Sequence, residues 1–193
     1  VEFIPYPKTA RLFRDIWITE KIDGTNAAII IEEDGAVYAQ SRKKFIAPGK
    51  QTDNHGFAGW VEENADYLVN TLGVGTHYGE WWGSGIQSGY GLTGGEKRLS
   101  LFNSARWAHL ETDEDAKAIG LGVVPVIYSG PYSQMEIDMA LAVLRLNGSF
   151  AAPGFMKPEG VIVYHTASRE MFKVTLLNDE APKSLAGAGA TNA

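Results

Sequence analysis

The stretch "EKIDGTN", Glu20 to Asn26, places a lysine two residues ahead of an Asp-Gly pair and between two apolar runs. An amine attacks an electrophile only when neutral, and a lysine at its usual pKa of about 10.4 is almost wholly protonated near pH 7. Chemistry at Lys21 therefore calls for nearby cations, which disfavour a second positive charge. Three further strand-like runs set charged groups among apolar neighbours: Glu80 in "THYGEWW", Glu159 before "GVIVYH" and Lys173 in "MFKVT". Side-chain alternation puts Lys21 and Asp23 on one face and aligns Tyr78, Glu80 and Trp82 on another. It also groups Glu159 with Val161 and Val163, and Lys173 with Met171 and Thr175. Taken singly, each charge reads as a solvent-facing residue on a strand. Together a lysine, an arginine from "SRKK" at Ser41–Lys44 and carboxylates suit phosphoryl transfer, which needs positioned cations around the phosphates. Asp23-Gly24 is expected to be a hairpin turn that presents Lys21, since glycine accepts the positive φ of such turns.

Other chemistries are excluded by what is missing. The chain has no cysteine and only four histidines, which lack the spacing of a zinc site. Any metal is expected to be a hard, oxygen-bound ion such as Mg²⁺. The glycine-rich run Gly83–Gly95 fits neither phosphate-loop pattern: Ser88 stands where G-x-G-x-x-G needs its third glycine, and Glu96 separates Gly95 from Lys97. It reads as a turn-rich connection. No apolar run approaches the roughly 20 residues of a membrane span, and the N-terminal residues lack the pattern of a signal peptide, so a cytoplasmic setting is expected, with no membrane partner. A net charge of −6 argues against broad nucleic-acid affinity and confines phosphate contacts to local clusters such as "SRKK".

The elements that must position these residues follow from periodicity. Strands are expected at about 15–22, 27–33 and 36–41, with a second Asp-Gly turn at Asp34-Gly35, reading as an antiparallel meander. A single helix is expected over Gly56–Leu72, capped by Asp53 or Asn54 and stopped by Gly73. A short helix at Thr112–Ile119 and a longer one from Ser133 to Gly148, with capping-box spacing at its start, complete the helical set. "RLSLFN", "VVPVIYSG", "GVIVYH" and "MFKVT" read as strands, Pro125 implying an edge position. At 193 residues and 45% hydrophobic content the chain fits one domain. The expected fold class is α+β, with the domain over 1–178 and a flexible tail over 179–193.

The ordered set "EKIDGTN … SRKK … HYGEWWG … LSLFN … KPEGVIVY … FKVT" resembles the motifs of the covalent nucleotidyltransferases, which include ATP-dependent DNA ligases, RNA ligases and mRNA capping enzymes. It is most similar to phage-type RNA ligases of the RNA ligase 2 kind, and the resemblance spans about Pro7 to Thr175. It implies an ATP-grasp-like domain of two antiparallel sheets flanked by helices around a nucleotide cleft. By the family pattern Lys21 is the nucleophile that takes AMP from ATP, Arg42 holds phosphate, and Glu80 binds the ribose or supports a metal. Phe102 stacks on adenine, Glu159 positions Mg²⁺ or Mn²⁺, and Lys173 contacts the α-phosphate. Glu20 is a reader of the adenine amino group, and Ile22 and Asn26 belong to the same nucleotide-binding set. The implied activity is ATP-dependent sealing of RNA ends, in nicked duplex or broken RNA, including RNA repair in a phage-infected cell. A GTP-using capping-type guanylyltransferase and a non-catalytic RNA-end-binding module are the alternatives. Two positions depart from the pattern. Met171 stands where relatives carry a lysine, which leaves one phosphate contact missing or supplied by Lys43 or Lys44, and Asn103 stands where aspartate is common. The short stretch after Lys173 leaves no room for an OB or helical C-terminal domain, so a partner supplying one is expected.

Overall fold

Among the described residues ten strands divide between two sheets, and the chain crosses from one to the other twice. In the computed structural model, which describes residues 1–177, β1 (Asp15–Lys21) lies in a four-stranded sheet of order β10-β9-β1-β8. The chain then crosses at Ile22–Gly24 into a six-stranded sheet of order β4-β3-β2-β5-β6-β7. That sheet comprises β2 (Thr25–Ile31), β3 (Val37–Ser41), β4 (Phe45–Ile46), β5 (Gly75–Gly83), β6 (Lys97–Leu101) and β7 (Leu121–Val123). The second crossing, at Val124-Pro125, returns the chain to β8 (Val126–Pro131), β9 (Gly160–His165) and β10 (Glu170–Thr175). All pairings are antiparallel except β6 with β7. The expected α+β class with two sheets is the observed one. Asn178 and the expected tail lie outside the described residues.

Among the described residues five α-helices cover these sheets: α1 (Phe57–Glu63), α2 (Ala65–Leu72), α3 (Ser104–Trp107), α4 (Glu114–Ile119) and α5 (Gln134–Asn147). The larger sheet buries Ile29, Ile31, Leu99 and Leu101 against Phe57, Val61 and Leu68 of α1 and α2. The smaller sheet buries Ile16, Ile18, Val161 and Val163 against Ile137, Leu141 and Leu144 of α5. Each such side chain contributes about 1.5–3 kcal/mol when fully buried. A third cluster of Ile22, Trp82, Tyr90, Val124 and Ala152 sits where both crossings pass.

Several local expectations are corrected. Asp23-Gly24 joins no hairpin, because β1 and β2 belong to different sheets, so the expected meander holds only for β2 and β3. Gly24 is required by close approach instead: a Cβ there would lie 2.5 Å from the Trp81 carbonyl oxygen and 2.8 Å from Trp82 Cβ. The single helix over 56–72 is two helices, broken at Asn64, whose backbone (φ −112°, ψ 14°) leaves the helical region. Asp53 still serves its start, accepting the amides of Ala58 (2.7 Å) and Gly59 (3.1 Å). "VVPVIYSG" is two strands in two sheets, split at Pro125, which supplies no amide to a ladder. Ser133 makes no side-chain cap to α5.

Candidate active site

Lys21 is the last residue of β1, paired in register with Gly160 of β9, which in turn pairs with Thr175 of β10. Gly160 has φ 154°, and a Cβ there would meet the Val174 carbonyl oxygen at 2.2 Å, so only glycine fits. The bare position opens the row beside Lys21. Glu159, one residue ahead of β9, fills it: Lys21 Nζ donates to Glu159 Oε2 at 2.5 Å, with only 19% and 13% of the two side chains exposed. Glu159 thus leaves the buried face of Val161 and Val163 on which alternation placed it, because the turn of the backbone at Gly160 ends the strand's period before it.

The carboxylate of Glu80 comes from the opposing sheet. In β5 it pairs in register with Asn26 of β2 and Ser100 of β6. Its Oε1 accepts the Gly24 amide (3.1 Å) and its Oε2 accepts Asn26 Nδ2 (3.3 Å). Burial raises its pKa from the ordinary 4.5 to about 7; Lys21 and the Gly24 amide oppose the rise, and Glu159 and Asp23 add to it. Lys21 is therefore grouped with carboxylates, and the salt bridge it makes among the described residues is with Glu159, not the cation-rich surrounding expected from the chemistry.

Beside this group a cavity of about 180 Å³ is lined by Asn26, Gln40, Arg42, Tyr78 and Phe102. Phe102 follows β6 and presents a partly exposed ring, its amide held by the Tyr78 carbonyl at 2.9 Å. Arg42 follows β3 at the same sheet face. Lys173 shares the face of Lys21: it pairs with Ile162, which pairs with Thr19. Met171 lies one alternation step further along that face and is exposed, as are Lys43 and Lys44 on the β3–β4 hairpin. Asn103 caps α3, its Oδ1 accepting the Arg106 amide at 3.2 Å.

Two residues of the expected nucleotide-binding set have buried side chains. The Glu20 side chain turns to the face opposite Lys21, is buried, and accepts the amides of Phe150 (2.8 Å) and Ala151 (3.0 Å). Burial raises its pKa, against the Ser149 hydroxyl and those two amides. Its carboxyl therefore anchors the loop after α5. Ile22 is buried in the third cluster, beneath Lys21. A residue that motif spacing does not single out joins the site: Tyr90, from the turn-rich Gly83–Gly95 connection. Its hydroxyl donates to the Lys21 carbonyl (3.2 Å) and accepts the Glu159 amide (3.1 Å). A tyrosine between two glycines in that run is the signal that would have found it.

A larger groove of about 460 Å³ runs along β6 and β7 past Trp82, Lys97, Arg98 and Lys117. It holds none of the expected residues, and its Arg98 is paired with Glu96 and lies over the Trp82 ring at 5.6 Å. Among the described residues no three His, Asp or Glu side chains converge as a metal cage. The carboxylates present fit a hydrated Mg²⁺ or Mn²⁺, which takes one or two such ligands and draws the rest from phosphate and water. No helix among the described residues is long and apolar enough to cross a membrane.

A family model described as RNA ligase matches residues 14–175. Solved structures of Naegleria gruberi RNA ligase share the fold. A lysine-to-methionine mutant with AMP and Mn has a TM-score of 0.61 at 15% identity, covering 85% of this chain and 50% of that one. A glutamate-to-alanine mutant with AMP and Mn gives 0.60 at 16% identity, covering 85% and 50%. The same ligase with PPi gives 0.59 at 17% identity, covering 83% and 49%. The chain thus spans about half the length of these structures. No curated protein matches the sequence.

Proposed function

The chain belongs to the RNA ligase family, and on that premise we propose that it is an ATP-dependent RNA ligase that works through an AMP adduct on Lys21. The observation that carries the reading is the meeting of Lys21, Glu159 and Glu80 from three separated segments beside a cavity lined by Phe102, Asn26 and Arg42. That ATP and Mn accompany the fold in Naegleria gruberi RNA ligase structures supports the choice of nucleotide and metal.

In the first step Lys21 Nζ attacks the α-phosphorus of ATP. The N–P bond forms as the bond to pyrophosphate breaks, and Glu159 Oε2 stands within reach of the proton that Nζ must lose. Lys173 and Arg42 neutralise the phosphates, and Phe102 stacks on adenine while Asn26 and Glu80 border the ribose. Glu159, with Glu80, would hold a Mg²⁺ or Mn²⁺ ion, which would supply further charge neutralisation at the phosphates. AMP then passes to an RNA 5′-phosphate, breaking the N–P bond and restoring the amine. Attack by a 3′-hydroxyl on that activated phosphate expels AMP and joins the strand. The sealing steps, the RNA ends they use and any partner that supplies a further domain belong to this same proposal.

The test is incubation with α-labelled ATP or GTP and a divalent metal, followed by a denaturing gel and peptide mapping. ATP should label Lys21, and both Lys21→Ala and Lys21→Arg should lose the label, since a guanidinium is essentially never deprotonated. Label surviving in either variant would sink the assignment. Labelling by GTP alone would point to a capping-type guanylyltransferase, and binding to nicked RNA without any label to an end-binding module.

A further inference from the structure

We propose that Tyr90 is a positioning residue for the nucleophile, its hydroxyl tying the backbone of Lys21 to the backbone of Glu159 so that the two side chains meet. The proposal rests on the covalent-lysine reading above.

The loop spends unusual backbone geometry to deliver this ring. Gly89, Tyr90 and Gly91 have φ of 69°, 48° and 77°, and a tyrosine in the left-handed region is rare because its Cβ crowds the backbone there. The delivered ring is 1% exposed. It stacks on Phe155 at 4.5 Å and meets Trp82 edge-on at 5.6 Å. Those contacts account for the ring and would serve a phenylalanine equally well. They leave the hydroxyl unexplained, and a buried hydroxyl is costly unless it is hydrogen-bonded.

Both of its partners belong to the site. It donates to the carbonyl of Lys21 and accepts the amide of Glu159, two segments 138 residues apart. Register pairing of β1 with β9 ends at Lys21 and Gly160, and beyond it the Glu159 carbonyl accepts the Leu176 amide (2.9 Å) on the far side from β1. The phenol continues the link past the end of the ladder.

Tyr90→Phe isolates the hydroxyl, because it retains the ring and its stacking. Two readouts are compared in the full chain. In the first, the rate of AMP labelling at saturating ATP should fall at least tenfold while the apparent KM for ATP stays within twofold, since the variant does not touch the cavity beside Phe102. In the second, which needs no nucleotide, acetylation of Lys21 by sulfosuccinimidyl acetate is followed by peptide mass spectrometry at a temperature where circular dichroism shows the variant folded. Release of the Lys21–Glu159 pair should speed Lys21 modification at least threefold relative to Lys44 and Lys117 in the same molecule. Unchanged labelling and unchanged relative acetylation would overturn the proposal, and so would equal acceleration of all three lysines, which reports general opening. If the parent takes no label from any nucleoside triphosphate, the covalent-lysine reading fails, and the acetylation arm alone decides the role of Tyr90.

Discussion

Glu80 should leave a pH signature on stability that one isosteric change removes. Burial is the largest cause of its rise from 4.5 to about 7, so the folded protein prefers this carboxyl protonated more strongly than the unfolded chain does. A raised carboxyl contributes stability that is present in full below pH 4.5 and is lost as pH climbs through 7. Each tenfold change in proton affinity is about 1.4 kcal/mol, which makes the whole contribution about 3 kcal/mol. Glu80→Gln keeps the shape and fixes the neutral form. Its carbonyl still accepts the Gly24 amide, and Asn26 can turn its amide to face the new NH₂. Urea unfolding of parent and variant between about pH 5.5 and 8.5 isolates the one group, because every other titration is common to both. The variant should gain on the parent by about 2 kcal/mol across that range, the part of the loss that falls above pH 5.5. A difference that stays level with pH would show that Glu80 is not held protonated by the fold, and the account of its burial between Gly24 and Asn26 would be wrong.

Glu159→Ala should weaken AMP labelling in a way that raised Mg²⁺ or Mn²⁺ partly restores, as expected when a metal-positioning carboxylate is lost; coincident metal titrations for variant and parent would assign Glu159 to holding Lys21 alone. Phe102→Ala should raise the ATP concentration needed for half-maximal labelling, since base stacking on an aromatic ring is worth about 1–3 kcal/mol. An unchanged requirement would leave Phe102 a wall of the cavity and nothing more.

Much of this site is written locally. Strand alternation placed Lys21, Glu80 and Lys173 on faces where the structure has them, because a period of two needs only a few neighbouring residues to be read. The nature of the Asp23-Gly24 link was not local. Turn chemistry is the same whether the next strand pairs with the last or departs to another sheet, and the deciding contact, Gly24 against the Trp81 backbone, lies far along the chain. Glu159 was assigned to the wrong face for a similar reason: the conformation of Gly160, imposed by its approach to Val174 in β10, ends the alternation. Tyr90 was hidden because a glycine-rich run reads as a turn-rich connection, whereas this one carries a buried aromatic to its place. The Glu20 side chain is buried on the face opposite Lys21, as adjacency in a strand requires.

These misreadings share one location. Lys21 stands at the end of β1, Gly24 touches β5, Gly160 touches β10, and the two crossings between sheets pass through the packing of Ile22, Val124, Trp82 and Tyr90. Glu80 comes from the opposite sheet to Lys21 and accepts the amide of Gly24, in the crossing that follows Lys21. Two glycines at these close approaches let the backbones come near enough, and the cluster beneath fixes how the sheets stand. The pairing of β1 with β9 brings Glu159 to Lys21, and the packing between the two sheets brings Glu80, so the geometry of the nucleophile is a property of the sheet junction as well as of the lysine's own segment.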